Sequence, residues 1–284
     1  MIDIIALEIG CELSLKHPDI FAQANKCLNL SDDFVAQLQK QQIKEGDLEL
    51  YHFIYLFNFY KAQESLMSTT KLIDVGFIGD AQTICRKLIE QLINIKYLDQ
   101  DKNNRQDRYW HFSAIELNKM ISLVERKEHF TTKLKQEMKK LKPEAKKQLE
   151  NAKKFYETEE DGQIKNNFRR NWSGLSLEGM SQKCKLEDLY DLCYRGFSTP
   201  THAGIGNVSS FVEFDTKLFT PKYTLGTALK VLQEASRVYI LLLQIIVNAF
   251  PQCEMKSINS TIEEINSFTS DKCFDDESPI WGIG

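Results

Sequence analysis

The sequence predicts an all-α protein, a helical bundle with long antiparallel helices and one irregular connection before the last core helix. Turn-forming residues are scarce, with 13 Gly and 6 Pro in 284 residues. The chain is rich in Leu, Ile, Lys, Glu and Gln, which favours helices over many short strands. Long stretches also carry apolar residues at three- and four-residue steps. A chain of this length buries a substantial core.

The first 45 residues are ambiguous. Ser31-Asp32-Asp33 predicts the cap of a short helix that runs to about Gln42, and Glu45-Gly46-Asp47 then interrupts it. We therefore predict an N-terminal helical extension over residues 1–45, a helical bundle core domain over 46–250 and an acidic C-terminal tail over 251–284.

Four helices are predicted next. The aromatic and aliphatic pattern predicts a helix from Leu48 to about Asp74, ending near Val75-Gly76, and a second over 77–98 that carries Arg86 and Glu90 on its flank. These two are expected to pair through a short Gly turn. A third helix is predicted over 103–127, with Arg105 and Arg108. A fourth, over 131–158, has nine lysines and few apolar positions.

The nine lysines of the fourth helix have two interpretations. They can attract phosphate, but they alternate with glutamates at helical spacing, so a solvated face with weak ion pairs is favoured. The looser stretch 161–179 places Lys165, Arg169 and Arg170 beside Phe168 and Trp172. This combination suits single-stranded nucleic acid, because cations meet phosphates and rings stack on bases. A single Trp in a loop is more often an anchor that packs on the core.

The last third of the chain predicts a helix over 185–197, two β-like pieces (VSSFVEF and KLFTPKY) and a core helix over 224–250. The longest apolar run, residues 238–250, has 13 residues. This is fewer than the roughly 20 that cross a bilayer, so we expect a buried helix and no membrane partner. Acidic Asp3 and Glu8 at the start argue against a secretory signal.

Seven cysteines without CxxC pairs favour a reducing compartment, and we expect a cytoplasmic protein. Cys184, Cys193 and His202 match no zinc pattern, so we interpret the two cysteines as core residues and expect no metal and no cofactor. The formal net charge is −4. Residues 251–284 contribute −5 of it, with seven acidic residues against two lysines. The nearly neutral remainder neither supports nor excludes a nucleic-acid ligand.

One segment, YRGFSTPTHAG at 194–204, carries chemistry. In a continuous helix Tyr194, Ser198 and His202 lie along one face, with Arg195 close to it. Pro200 either kinks that helix or starts a new one at its first turn. In both cases His202 lies near exposed backbone N–H groups, which favours a neutral imidazole beside a bound phosphate. The planar guanidinium of Arg195 suits that phosphate.

Four motifs together resemble a widespread bacterial family of helical proteins of unknown function. They are Arg86-x3-Glu90, the Arg105/Arg108 helix, Trp172-x-Gly174-x-Ser176 and Tyr194-x3-Ser198-x3-His202. The resemblance covers roughly residues 50–250 and implies no established activity.

The arginine followed by a histidine is also similar to the HEPN superfamily, whose signature is Arg, four to six residues, His. Those helical bundles often dimerise and often act as metal-independent ribonucleases in toxin, antiphage and RNA-processing systems. The chain departs from the signature at Gly196, where a polar residue is usual, and at Pro200. The resemblance implies RNA cleavage, with His202 as general base or acid, Arg195 stabilising the phosphoryl oxygens, and Ser198 and Tyr194 in support.

The same residues allow two other interpretations. Arg195 can form an ion pair with Asp188 or Asp191, while Tyr194 and Ser198 satisfy backbone groups. The domain can also be a non-catalytic binding module for a nucleotide, an RNA or a regulatory protein partner, which needs Arg195 and Trp172 but no titrating histidine. The residues expected to bind the substrate are Arg86, Glu90, Arg169, Arg170 and Trp172.

Overall fold

The computed structural model describes residues 13–41, 48–160, 163–166, 171–198, 212–213, 218–219 and 225–253, together with 260, 261, 263 and 264. This part of the chain is an all-α bundle, as predicted. Its α-helices are α1 (Leu13–Lys16), α2 (Pro18–Lys40), α3 (Leu50–Asp74), α4 (Ile78–Asp99), α5 (Lys102–Arg126), α6 (Thr132–Lys153), α7 (Leu177–Lys183) and α8 (Leu225–Asn248). Two short antiparallel ladders accompany them, β1 (Glu157–Glu160) with β2 (Gln163–Asn166) and β3 (Val212–Glu213) with β4 (Leu218–Phe219).

Helix α4 is the centre of the bundle. It packs against α3 and α8, and also against α7 and residues 189–198, which follow α7. Leu88 and Ile89 of α4 are fully buried. The predicted α3–α4 hairpin is confirmed, and its turn uses Gly76 at φ 85°, a left-handed conformation that glycine adopts without steric cost.

The predicted short helix capped by Ser31-Asp32-Asp33 is wrong, because α2 runs without a break from Pro18 to Lys40. Ser31 lies in the middle of this helix and is fully buried. Its hydroxyl donates to the Cys27 carbonyl at 3.1 Å and also pairs with the Tyr239 hydroxyl of α8. A buried serine that bonds one turn back within its own helix does not have to end it. Helix α2 packs mainly on α8.

Helices α5 and α6 form a hairpin in which α6 packs chiefly against α5. Only Ala145 and Ala152 of α6 are buried, so the prediction of a largely solvated fourth helix is confirmed. The helix ends at Lys153, earlier than predicted, and residues 157–160 begin the β1–β2 ladder.

The predicted helix over 185–197 is confirmed in position, since residues 187–194 and 196–198 are helical, but it is not a regular α-helix. Helix α7 ends at Lys183, and Lys185 adopts a positive φ of 55°. The chain then forms a π-helical turn over Leu189–Tyr194 and a 3₁₀ turn over Gly196–Ser198. We call residues 189–198 the irregular segment. Cys193 and Phe197 anchor it to the core.

The last core helix is α8, close to the predicted range, and its buried residues surround most of its circumference. Among the described residues α8 is the one helix long and apolar enough to cross a membrane, and 67% of its apolar window is buried within the bundle. Each predicted β-like piece contains a two-residue strand, and the structure adds that the two strands pair, Val212 with Phe219 and Glu213 with Leu218.

Candidate functional site

Arg86 joins the irregular segment to the central helix. Its Nη2 donates a hydrogen bond of 2.9 Å to the Tyr194 hydroxyl, and its guanidinium carbon lies 4.4 Å from the centre of the Tyr194 ring. The Nε atom of Arg86 is buried and has no hydrogen-bond partner in the described structure. The arginine is therefore held mainly by one tyrosine, through its ring and its hydroxyl.

This contact belongs to a longer stack of two tyrosine rings and two arginines, which we call the Arg-Tyr stack. The Tyr194 ring lies nearly parallel to the Tyr190 ring, with centroids 4.9 Å apart and planes inclined by 16°. The Arg195 guanidinium carbon is 5.2 Å from the Tyr190 centroid. The order is therefore Arg86, Tyr194, Tyr190, Arg195, with one arginine at each end. Each cation lies within the distance at which the ring quadrupole attracts it.

The π-helical turn builds this stack. The Arg195 N–H donates to the Tyr190 carbonyl at 3.0 Å, a five-residue step instead of the four of an α-helix. Such a turn inserts one residue and reorients the side chains that follow, and it occurs frequently at functional sites. Ser198 then donates to the Tyr194 carbonyl at 2.7 Å. This contact agrees with the interpretation from the sequence that the Ser198 side chain forms a hydrogen bond with the backbone.

Arg195 is exposed and already faces two carboxylates. Its Nη2 lies 2.8 Å from Glu178 of α7, and its Nε lies 3.1 Å from Asp191. The side chain is 54% exposed, and those of Glu178 and Asp191 are 46% and 58% exposed. The pKa of Arg195 is raised, chiefly by the charge of Glu178, with Asp191 adding to it. The predicted pairing with Asp191 is present, and Glu178 is a second partner that the sequence analysis missed.

Glu90 lies one turn after Arg86 on α4 and is exposed. Burial raises the pKa of Tyr194, and the negative charge of Glu90 raises it further, while Arg86 opposes both effects. Burial also raises the pKa of Tyr109, with Glu90 again contributing. Glu90 is therefore close enough to influence two tyrosine hydroxyls, and both remain protonated hydrogen-bond donors at neutral pH.

Trp172 is an anchor and not an exposed stacking platform. It is 6% exposed, and its indole Nε1–H donates to Oδ1 of Asn94 at 2.6 Å. Its ring centroid lies 5.0 Å from that of Tyr109 and 5.7 Å from that of Tyr97. The predicted role of Trp172 in binding bases is not compatible with this burial, because a base cannot reach the ring faces.

The rest of the Trp172-x-Gly174-x-Ser176 motif shapes the loop. Gly174 has φ 76°, which requires glycine or a strained residue. Its N–H donates to Oδ1 of Asn171 at 2.9 Å. Ser176 is the N-cap of α7, and its Oγ accepts the Gly179 N–H at 3.0 Å. This motif therefore fixes the start of α7 and, through it, the position of Glu178.

The arginines of α5 also contact rings. Arg105 lies 3.8 Å over the Tyr97 ring and donates to the Tyr97 carbonyl. Arg108 lies 5.3 Å over the Tyr156 ring, and its Nε is buried without a hydrogen-bond partner in the described part of the chain. These two arginines stabilise the start of the α5–α6 hairpin.

Three predicted site residues, His202, Arg169 and Arg170, lie outside the described residues, and so does Pro200. Of the remaining candidates the structure brings Arg86, Glu90, Tyr194, Ser198 and Arg195 together. Trp172 instead contacts Asn94, two turns after Arg86 on α4. Besides Glu178, sequence reasoning missed Tyr190. The signal available was its four-residue spacing from Tyr194, but the π-helical turn that stacks the rings has no recognisable sequence signature.

Cys184 and Cys193 are buried, as the sequence analysis expects for core residues. Burial raises the pKa of each thiol to about 11, so both are protonated at neutral pH. Within the described ranges no group of three or more His, Cys, Asp or Glu side chains is arranged to hold a metal ion. The chemistry available at the stack is therefore anion binding by Arg195, stacking against tyrosine rings and hydrogen bonding by tyrosine hydroxyls.

Comparison with known proteins gives one match. No curated protein and no solved structure matches the chain. A family profile matches residues 52–218, from the start of α3 to the β3–β4 ladder, and so includes α4, the Trp172 loop and the irregular segment. The chain thus belongs to the family described as "Family of unknown function (DUF5677)".

Proposed function

We propose that this protein is an HEPN-like, metal-independent endoribonuclease, with the irregular segment as its substrate site. The RNA 2′-hydroxyl attacks the adjacent phosphorus and the P–O5′ bond breaks, which leaves a 2′,3′-cyclic phosphate and a 5′-hydroxyl. His202 takes the 2′-hydroxyl proton or returns a proton to the leaving oxygen. Arg195 stabilises the charge that develops on the phosphoryl oxygens.

The observation that carries this proposal is the exposed guanidinium of Arg195 at the end of the Arg-Tyr stack. An accessible, planar guanidinium can bind two phosphate oxygens at once, and Arg195 presents one seven residues before His202. The half-buried faces of Tyr190 and Tyr194 fix the direction of that cation. A positive charge held in a fixed position stabilises phosphoryl transfer without a covalent bond between protein and substrate.

Glu178 and Asp191 compete with the phosphate for Arg195. Both pairs are exposed, and exposed ion pairs are weak because water and salt screen them, so a phosphate with two charged oxygens can displace them. Replacement of Glu178 with Gln removes the first competitor but keeps the side-chain shape. It should therefore tighten RNA binding, and replacement of Glu187, an exposed residue in the turn before the irregular segment, is the matched control.

We propose in addition that the active species is a homodimer formed through α3. Four large apolar side chains of α3 are exposed at helical spacing: Phe53 (38%), Phe57 (59%), Tyr60 (54%) and Met67 (52%). On the same helix Lys61 and Glu64 form an exposed ion pair of 2.6 Å. In an antiparallel pair of α3 helices the Lys61 end of one copy meets the Glu64 end of the other, so the face is complementary to itself.

The test is cleavage of total RNA and transfer RNA in excess chelator by wild type, Arg195→Lys, Arg195→Ala and His202→Ala, each checked for folding by circular dichroism. We expect wild type to cut, the alanine variants to lose at least 100-fold in rate, and lysine to restore little because it lacks the planar fork. Equal rates for wild type and His202→Ala would refute the catalytic role. Growth arrest on expression, lost in the same variants, would support a toxin or antiphage role.

The second candidate function is a non-catalytic binding module for a nucleotide, an RNA or a regulatory protein. The observation that favours it is the exposed Arg195 with its contacts to Glu178 and Asp191. An exposed arginine can bind a charged ligand without any group that gains or loses a proton. In that case His202→Gln leaves affinity within about twofold, whereas Arg195→Ala weakens it, and no variant or wild type cleaves RNA.

A further inference from the structure

The α5–α6 hairpin carries a regular row of lysines. Three doublets recur every seven residues: Lys139-Lys140, Lys146-Lys147 and Lys153-Lys154. Seven residues are almost two turns of helix, so the doublets lie on one face and succeed each other by about 10.5 Å. We call this the lysine face.

The lysine face points away from the hairpin core. The buried residues of α6 are Ala145 and Ala152, on the side that packs against α5. Five of the six doublet lysines are exposed, and the sixth, Lys153, pairs with Glu150. Lys139, Lys140, Lys146 and Lys147 have no carboxylate partner among the described residues. The predicted local ion pairs are therefore present at Lys153 and at Lys142, which contacts Glu125. In the described part of the chain they are not seen at the four lysines named above.

Charge in the molecule is divided between the hairpin and the rest. Residues 102–154 contain 15 Lys and Arg against seven Asp and Glu, a net of +8. The remaining residues contain 21 basic and 33 acidic side chains, a net of −12. A polyanion is repelled by most of the molecule and attracted to this hairpin, which both orients it and accelerates its encounter.

We propose that the lysine face binds the phosphate backbone of a double-helical RNA segment. Helix α6 contains no aromatic residue, and without rings a single strand has nothing to stack on. Lysines in a row along one face of a helix instead track a rigid backbone without reading its sequence, as in the recognition of duplex RNA by shape. This inference rests on the proposed ribonuclease function and names its substrate class: structured RNA, held by its stem at the hairpin and cut elsewhere at the irregular segment.

The test measures binding of a fluorescein-labelled RNA duplex of about 16 base pairs to the full chain by anisotropy, over a series of salt concentrations. One variant changes Lys139, Lys140, Lys146 and Lys147 to Gln. The matched control changes four exposed lysines outside the hairpin, Lys16, Lys40, Lys71 and Lys183, to Gln. Both lose four charges, so net charge alone cannot separate them.

We expect the hairpin variant to weaken duplex binding at least tenfold and to lower the slope of log affinity against log salt by about 3, because up to four phosphate contacts disappear. The control should stay within threefold. Equal effects in the two variants, or no duplex binding by wild type, would overturn the proposal. Vesicles of anionic phospholipid that bind wild type, and lose binding in the hairpin variant while the duplex does not, would assign the face to membranes and overturn it too.

Cleavage of a short single-stranded RNA separates this proposal from the previous one. If the hairpin variant still cuts that RNA as wild type does, the catalytic site is intact and the loss is specific to duplex binding. If no protein cuts but duplex binding depends on the four lysines, the ribonuclease proposal fails and the lysine face stands.

Discussion

Replacement of Tyr194 with Phe tests the contact that fixes the irregular segment to the bundle. The change removes one oxygen, the acceptor of the 2.9 Å hydrogen bond from Arg86, and leaves the ring at 4.4 Å from the guanidinium. Hydrogen bonds to charged groups contribute about 1.5–3 kcal/mol, and both residues are only half-buried, so water recovers part of the loss. We expect a loss of about 1–2 kcal/mol in the free energy of unfolding, which lowers Tm by roughly 2–8 °C in a protein of this size.

The assay is urea denaturation followed by far-ultraviolet circular dichroism, for wild type, Tyr194→Phe, Arg86→Met and the double variant. The double-mutant cycle isolates the hydrogen bond, and we expect a coupling energy of about 1 kcal/mol. Tyr97→Phe is the matched control. Tyr97 is also half-buried, and it contacts Arg105 through its ring and its carbonyl, which the change leaves intact, so we expect its change to stay within about 0.5 kcal/mol. A coupling energy below about 0.3 kcal/mol would show that Arg86 does not hold the segment through the tyrosine hydroxyl.

Three further predictions follow from the fold. Trp172→Ala should lower the free energy of unfolding by about 3–5 kcal/mol because the indole is buried. The control, Trp110→Ala at a 48% exposed position, should lower it by less than about 1 kcal/mol. Equal losses in the two variants would contradict the anchoring role of Trp172. Burial lowers the pKa of His52, so the unfolded chain binds the proton more readily than the folded chain. The free energy of unfolding should therefore fall as the pH drops below the ordinary pKa of 6.5. His52→Gln should reduce this pH dependence in urea titrations at pH 7 and pH 5. Phe57→Lys should shift the mass measured by light scattering from dimer to monomer. Leu141→Lys, the same kind of change at a 48% exposed position on α6, should not. A dimer that survives Phe57→Lys would exclude this face.

The neutral form of His52 in the folded protein is explained by its two hydrogen-bond partners. Its Nδ1 accepts the Glu49 N–H at 2.9 Å, and Nε2 lies 3.1 Å from the Ala249 carbonyl. Both ring nitrogens are satisfied by the neutral tautomer with a proton on Nε2. A second proton would have to displace the Glu49 bond, so protonation opposes folding.

The sequence by itself determined the bundle. Apolar residues at three- and four-residue steps, together with the stop at Val75-Gly76, predicted α3 and α4 within two residues, because helical periodicity is a local property of the chain. The solvated character of α6 and the buried position of α8 were predictable for the same reason. The failure at Ser31 has the opposite cause, since whether a serine caps a helix or lies buried inside it depends on the Tyr239 partner that tertiary packing supplies.

Only the tertiary structure decided how the candidate residues are arranged. The spacing of Tyr194, Ser198 and His202 predicted one face of a continuous helix with Arg195 close to it, but a π-helical turn places Tyr190 between Tyr194 and Arg195 and turns the arginine toward Glu178. The sequence allowed Trp172 to be a base-stacking platform and favoured an anchor, and its contacts with Asn94 and Tyr109 show that it is an anchor. Sequence spacing fixes which residues share a local face. The hydrogen-bond partners of Trp172 and Tyr194, however, lie on α4, 78 and 108 positions away, and such contacts are set only when the helices pack.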